Sequence, residues 1–510
     1  MNLSPQQQAV ITWASQETGS LNLVARAGCG KTFTLMALTK HIVANGLGEV
    51  QLLAYNKSIA EEIKGKLSQA GIDWKQATAG TVHSVGFGAW RKANPGVKVD
   101  GNKVRDIVDN MAKMDPVTAT RDCCQEYGQI VCKAVSMAKQ QGFGFLTPVR
   151  DVNKWWDMFD HYGIGDTVND DNDIGNIISV SIDVLEASFR MDKQVIDFDD
   201  MILAPLRGKV KIWPKDWVLL DEAQDTNATR RALALALLKP RTGRLVAVGD
   251  PAQAIYGFTG ADSDAMDIIG EQLGSKMLPL NRTYRCPKAV VALAQGIVPD
   301  LEAMPEAPEG SHATILAKDL LTSALGQGDS ILCRNTKPLI EQAYTLLRNS
   351  IPCYVEGREI GQGLVKLARR FRTQDLEVIL DKLNDWSEKE MQRWMAKGKE
   401  QKAQQVEDQA QTLAVLIDKV RQDGGDTLSD LELFIDKLFG DTREGEKPKC
   451  VVLSTVHKAK GREWKRVYIL DRAGLMPSKW AKRDWQIRQE MNLIYVAMTR
   501  AMDQLFDVVV

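Results

Sequence analysis

Residues Ala25-Arg26-Ala27-Gly28-Cys29-Gly30-Lys31-Thr32 constrain the fold of this chain more than any other stretch. They lie between a short apolar run, Leu21 to Val24, and a segment with helical spacing, Leu35 to Val43. A glycine-rich turn between a strand and a helix exposes consecutive backbone N–H groups at the helix N-terminus, where the helix dipole adds positive potential. Such a turn cradles phosphate. Ala27, Gly28, Cys29 and Gly30 supply its backbone, Lys31 reaches the outer phosphates of a nucleotide, and the Thr32 hydroxyl sits on Mg²⁺. The usual first glycine of the motif is replaced by Ala25, so the strict pattern is met only in its second half. The loop implies an α/β fold and a bound nucleotide, but not what the nucleotide drives.

A chain of 510 residues is too long for one core, and two to four domains are expected. The formal net charge of −1 excludes a global basic field, so any polyanion must be held in a local groove. Eight cysteines are scattered without paired spacing, which argues for reduced thiols and against a zinc or iron–sulfur cluster. Cys123, Cys124 and Cys132 read as a partly buried helix. The first residues carry no charged-then-apolar leader, and no apolar run of ~18 residues occurs. A soluble cytoplasmic protein is expected.

Further along, Ser4 and Pro5 form a helix start signal, and Gln6 could hydrogen-bond both edges of an adenine ring or simply be solvated. Leu52 to Ala54 reads as a strand ending at Tyr55 and Asn56, and a second β-like stretch ends at Thr81-Val82-His83-Ser84. Polar and aromatic groups at the carboxyl ends of parallel strands line the crevice where open α/β sheets bind ligands, although His83 taken alone reads as a core histidine. From Gly86 to about Gln194 the pattern is helical, with the Trp155-Trp156 pair read as core and the acidic stretch Asp170 to Asp173 as a solvated turn. Trp217 to Leu220 is then a buried strand ending in Asp221 and Glu222. Asp221 is placed to hold the Mg²⁺ shell, and Glu222 to orient or deprotonate an attacking water. A further apolar strand, Leu245 to Val248, leads to Gln253, a neutral group able to touch a γ-phosphate, and to Tyr256 and Phe258, which offer flat faces for base stacking. Strand-like stretches resume after Leu280 and again from Val451. Between them Val406, Ala410, Leu413, Ile417 and Val420 recur at helical spacing as one amphipathic face.

Taken in order, these stretches resemble the motif set of superfamily 1 helicases of the UvrD/Rep type. The set runs from the glutamine motif and phosphate loop through Asn56-Lys57, Thr81-x-His83-Ser84, Asp221-Glu222-Ala223-Gln224-Asp225 and Gly249-Asp250-x-x-Gln253. It continues with Tyr284-Arg285, Thr455-x-His457-x-x-Lys460-Gly461 and Tyr495-Val496-Ala497-x-Thr499-Arg500-Ala501. Local details around Asn56 are also similar to the F-box DNA helicase branch and its phage and bacterial relatives. The resemblance spans residues 3 to 507 and leaves no nuclease or other appended domain to expect.

The resemblance implies two RecA-like P-loop NTPase domains, each with an inserted, mostly helical subdomain. Residues 1–85 and 195–278 would form the first, with insertion 86–194; residues 279–364 and 448–510 would form the second, with a reduced insertion 365–447. It implies that Gln6 reads adenine and Tyr284 stacks on it, and that Lys31 and Thr32 hold phosphate and Mg²⁺. Asp221 and Glu222 become metal ligand and catalytic carboxylate, Gln253, Arg285 and Arg500 meet the γ-phosphate, and Glu463 lies near the ribose or the phosphate-sensing loop. ATP would sit in a cleft between the two domains. Tyr55, Asn56, Thr81, His83, Tyr256, Phe258, Thr455, His457 and Lys460 would hold single-stranded DNA, and travel would run 3′ to 5′. Three positions depart from the usual pattern: Thr259 and Phe33 where relatives have arginine, and Thr283 where they have asparagine.

The expected output is an ATP-driven DNA helicase that works on single strands and on single-strand/duplex junctions, as a monomer, in replication, recombination or repair. Two other readings compete: a translocase that mainly strips proteins such as recombinase filaments from single strands, and a nucleotide-dependent binding or signalling module. RNA would serve the same phosphate and stacking grips.

Overall fold

The structure is a computed structural model and describes residues 3–166, 168, 170–257, 260–262, 264–349, 351–396, 400–439, 450–479 and 481–509. The chain divides into two compact units, Met1–Asn281 and Arg282–Val510.

The first unit is built on six strands: β1 (Leu21–Ala25), β2 (Val50–Ala54), β3 (Ala77–Thr81), β6 (Trp217–Leu220), β7 (Arg244–Gly249) and β8 (Lys276–Leu280). They pair in the order β3-β2-β6-β7-β1-β8, and every pairing is parallel. β2 and β6 are buried along their whole length, as near-continuous apolar runs must be when helices cover both faces of a sheet. Helices α1 (Pro5–Gln16), α2 (Lys31–Ala44), α3 (Lys57–Gln69) and α4 (Val82–Ala93) supply part of that cover. Their starts follow capping chemistry. Ser4 and Gln7 form a capping box on α1, Asn56 caps α3 by accepting from Ile59 N–H at 2.9 Å, and Thr81 caps α4 by accepting from Ser84 N–H at 3.0 Å.

The helical insertion consists of α5 (Lys103–Met114), α6 (Thr118–Gln140), α7 (Val152–Tyr162) and α8 (Asp171–Met191), closed at its base by β4 (Lys98–Val99) paired with β5 (Val195–Ile196). It has its own apolar core, which includes Cys123, Cys124, Val131 and Trp155. Trp155 is core as expected, whereas Trp156 is 38% exposed, and the acidic stretch starts α8 with Asp170 as its cap rather than forming a free turn. Helix α4 runs unbroken through residue 85, so the expected start of the insertion at Gly86 falls inside it.

Where the insertion meets α9 (Asp200–Arg207), two fully buried lysines sit among aspartates. Lys103 Nζ lies 2.7 Å from both Asp192 and Asp200, Lys139 Nζ lies 2.7 Å from Asp200 and bridges Asp197, and Arg207 bridges Asp192. Isolated, each buried charge would cost several kcal/mol, so the cations and carboxylates persist only as a mutually neutralising set. Nothing in the sequence pairs these groups, because the lysines stand far from the Asp197-Phe198-Asp199-Asp200 turn that receives them.

The second unit holds another parallel sheet, in the order β11-β16-β15-β12-β14-β13, from β11 (Ser311–Leu316), β12 (Asp329–Cys333), β13 (Cys353–Val355), β14 (Val451–Thr455), β15 (Trp464–Leu470) and β16 (Ala501–Val509). Two short strands, β9 (Arg282–Thr283) and β10 (Glu302–Ala303), pair with each other before it in sequence. The expected cut between the units shifts slightly, because residues 279 and 280 end β8 of the first sheet. The second helical insertion is α14 (Arg358–Arg369), α15 (Leu376–Ala396), α16 (Glu400–Gln422) and α17 (Leu428–Leu438). Among the described residues its buried side chains form no separate core. Leu364, Ile379, Leu413, Ile417 and Leu431 pack in one cluster with Ile331, Leu453 and Tyr468 of the sheet. Among the described residues no helix is long and apolar enough to cross a membrane.

Candidate nucleotide and nucleic-acid sites

In the first unit the residues singled out by sequence gather at the carboxyl ends of the strands. Ala25 ends β1, and the turn that follows is shaped by Gly28 (φ +72°) and Gly30 (φ +80°), both in the left-handed region that glycine enters at no steric cost. Gly30 caps α2 without any side-chain acceptor, so the first N–H groups of that helix remain available to an anion. Lys31 opens the helix and its ammonium lies 2.8 Å from Glu222 Oε1. Burial pulls the Lys31 pKa down, but the charges of Glu222, Asp221 and Asp250 outweigh it and hold the group above the ordinary lysine value.

Asp221 is the first residue after β6, its N–H donating to Leu53 O at 2.9 Å. Burial, and next the Glu222 charge, push its carboxyl up to about 7 against the pull of Lys31. Glu222 adopts φ +49°, an uncommon conformation for a residue with a side chain, which turns its carboxylate back over the loop toward Lys31. A cluster of this kind, two carboxylates around one largely buried ammonium beside uncapped N–H groups, suits a triphosphate with a divalent cation: Lys31 would meet the phosphate oxygens, and the Asp221 carboxylate and Thr32 hydroxyl would hold the cation.

Neighbouring groups brace this end of the sheet. Gln253 donates from Nε2 to Asp250 Oδ2 at 2.7 Å, and the fully buried Asp250 also meets Arg26 Nη1 at 3.1 Å through its other oxygen. Gln224 accepts from Asp250 N–H at 3.0 Å and donates to Glu222, tying the ends of β6 and β7 together. Arg26, Gln224 and Asp250 were visible in the sequence only as motif filler. Gln6 is elsewhere engaged: its amide donates to Asn281 Oδ1 at 2.6 Å and accepts from Asn281 N–H at 3.2 Å.

Beside these carboxylates, Tyr55 and Tyr256 stack at 5.9 Å between ring centroids and 14° between planes. Burial pushes the Tyr55 phenol up to about 12, assisted by the charges of Asp225 and Glu222. His83 is half-buried rather than core; burial, reinforced by the Arg230 charge, pulls its imidazole down to about 4. The same Arg230, near the start of α10 (Ala228–Ala236), acts on Tyr55, so Tyr55 and His83 share the influence of a cation that no motif marks. Asn56 and Thr81 carry their capping bonds here. Phe258 and Thr259 lie outside the described residues.

In the second unit two further groups form. Arg285 Nε donates to Glu463 Oε2 at 2.6 Å and Nη1 to Thr499 O at 3.4 Å, with Tyr284 beside it 53% exposed. Arg500 is buried and donates to Val496 O at 2.9 Å, Arg462 O at 3.2 Å and Thr499 Oγ1 at 3.1 Å. Thr283 in place of asparagine has a local task, its hydroxyl accepting from Arg285 N–H at 3.3 Å. The other group surrounds α18 (Val456–Ala459), which Thr455 precedes. Burial, reinforced by Arg334, pulls His457 down to about 4, while Glu490, joined to Arg334 at 2.8 Å, opposes it; Lys460 adds a smaller pull downward.

A parallel α/β unit with a phosphate loop, an Asp-Glu pair ending one strand and a glutamine beyond the next defines a P-loop nucleotide-binding protein. The chain belongs to the UvrD/REP helicase family: the UvrD/REP helicase N-terminal domain matches residues 3–272 and the UvrD-like helicase C-terminal domain residues 361–509. It is similar to the ATP-dependent DNA helicase UvrD1 of Mycobacterium bovis, 25% identical over 321 residues that make up 58% of this chain and 39% of that protein. It is also similar to DNA helicase IV of Escherichia coli, 26% identical over 308 residues, 52% of this chain and 43% of that one. A shorter stretch of 115 residues is 32% identical to the ATP-dependent DNA helicase srs2 of Schizosaccharomyces pombe, covering 22% of this chain and 13% of the relative. The chain thus spans less than half the length of these relatives.

Proposed function

We propose that this chain is a DNA-dependent ATP hydrolase that moves 3′ to 5′ along single-stranded DNA and opens duplexes at junctions. One observation carries the reading: the Lys31–Glu222–Asp221 cluster and the Tyr55–Tyr256–His83–Arg230 group share the carboxyl edge of one sheet, close enough that Glu222 acts on both tyrosines. A change at the phosphate end of that edge is then felt where a strand would lie.

In this reading Lys31 and the uncapped N–H groups of α2 bind the phosphates, and Thr32 with Asp221 would hold Mg²⁺, which would supply charge neutralisation for phosphoryl transfer. Glu222, freed from Lys31 when phosphate takes its place, accepts the proton of the attacking water. Gln253, Arg285 and Arg500 act on the γ-phosphate, as the family resemblance implies. Tyr284 stacks on the base. Gln6 reads adenine by exchanging its Asn281 bonds for ring edges, and Glu463 releases Arg285 for its task. Stacked tyrosines hold bases without regard to sequence, while Asn56, Thr81, His83, Phe258, Thr455, His457 and Lys460 hold the sugar–phosphate backbone or neighbouring bases. A monomer acting in the cytoplasm or nucleoid, in replication, recombination or repair, fits this activity.

Strand displacement from partial duplexes with either a 3′ or a 5′ single-stranded tail tests the reading. We expect ATP-dependent displacement on the 3′-tailed substrate and none with Lys31→Ala. Displacement confined to 5′ tails overturns the direction, and none on either substrate overturns unwinding in favour of protein displacement.

A further inference from the structure

Around Trp90, at the far end of α4 from Thr81, the chain carries a second concentration of positive charge. Residues 86–99 and 201–215 contain seven basic residues (Arg91, Lys92, Lys98, Arg207, Lys209, Lys211 and Lys215) and no acidic one, in a chain whose net charge is −1. The two segments meet in space: Val97 and Val210 pack on the cluster formed by Trp90, Ile196 and Ala204. Two of the seven are committed, Arg207 to Asp192 and Lys215 to Glu49 at 2.6 Å. The others are exposed and, among the described residues, none of them forms an ion pair. Lys193, next to the residue whose carbonyl accepts the Trp90 indole N–H, is exposed just ahead of β5 and adds a further cation.

An aromatic ring stands in the middle. Trp213 is 43% exposed, with Lys92 Nζ 3.9 Å and Lys211 Nζ 5.7 Å from its ring centroid. Both ammonium groups make cation–π contacts with the indole, and residues 208–215 hold no carboxylate to neutralise them. Pro214 and the left-handed turn at Lys209 (φ +48°) fix the loop that presents it. Lysines that do not pair with acids, interleaved with an exposed indole, suit a flexible polyanion with flat bases, and suit an acidic protein segment less because that would leave the ring unused.

We propose that this surface, Lys92, Lys98, Lys209, Lys211 and Trp213, is a second binding site for single-stranded nucleic acid, separate from the group around Tyr55. α4 has 12 residues, and at the rise of a helix that sets the patch roughly 18 Å from Thr81. A strand of several nucleotides beyond the first site reaches it, and lysines there grip phosphates while Trp213 stacks one base.

The test is equilibrium binding of full-length protein to labelled oligo-dT of ~30 nucleotides without ATP, followed by fluorescence anisotropy over a range of salt. For Lys92→Ala/Lys209→Ala/Lys211→Ala we expect weaker binding and a salt slope shallower by about 2, from ~0.7 for each phosphate no longer gripped. The matching triple Lys→Arg variant restores both, and Trp213→Ala weakens oligo-dT about tenfold but an equal-length duplex far less. Maximal ATP hydrolysis at saturating DNA stays unchanged in all these variants, and so does the thermal midpoint, because every altered residue is exposed. An unchanged affinity and slope in the alanine triple overturns the site, and equal losses on duplex and single strand in Trp213→Ala overturn the stacking. Since no nucleotide is present, either result is independent of whether the chain is a motor.

Discussion

His83 and His457 are both pulled down to about 4, chiefly by burial. In the unfolded chain each takes up a proton near ~6.5. Between pH ~6.5 and 4 the unfolded state therefore binds more protons than the folded one, so stability rises with pH across this window and is fully present above it. We expect unfolding midpoints to fall as pH drops from 6.5 toward 4, and His83→Gln/His457→Gln to flatten that decline; imidazole proton shifts in NMR titration give the midpoints directly. DNA affinity between pH 6.5 and 8 should accordingly show no histidine step. At the other cluster, Glu222 is the partner within ion-pair distance of Lys31 among the described residues. Glu222→Gln should leave nucleotide binding within a few-fold of wild type while lowering turnover by about 10²–10⁴, which nucleotide binding and single-turnover assays separate.

The element that joins most of the first unit's tasks is α4, capped by Thr81 at one end and packed on α9 along its flank. A Cβ on Gly86 would stand 2.3 Å from the carbonyl oxygen of Met201, whereas one on Gly88 meets nothing. Gly86→Ala should cost about 1–3 kcal/mol by overpacking, and Gly88→Ala should be neutral or stabilising by up to ~1 kcal/mol; denaturant midpoints decide. Strands and their polar ends were legible because a buried parallel strand must be an apolar run and its carboxyl end a ligand edge: Leu21 to Val24 and Trp217 to Leu220 show both. Insertion boundaries were less legible, since α4 continues through Gly86 with no local stop signal and the charges that fasten the insertion are buried. Nothing local in the sequence marks Lys103, Lys139 and Asp200 as partners; only the fold brings them together. Arg230 belongs to no motif, and its influence on Tyr55 and His83 exists only in the folded chain.

At the scale of the whole molecule, the chain is two parallel α/β units with family motifs divided between them. The phosphate loop, Asp-Glu pair and Gln253 belong to the first, and Arg285 and Arg500 to the second. Family membership could be read from the order of those motifs alone; the internal bonds of Gln6, Glu463 and Arg500 could not, because each is paired within its own unit. Arg285→Ala should reduce turnover by about 10³ or more, with the fold unaffected by circular dichroism. The most direct measurement is the rate of ATP hydrolysis with and without single-stranded DNA, for wild type and Lys31→Ala. A DNA-driven motor predicts that DNA raises wild-type turnover many-fold and that the variant hydrolyses almost nothing in either condition. A wild-type rate indifferent to DNA would contradict it.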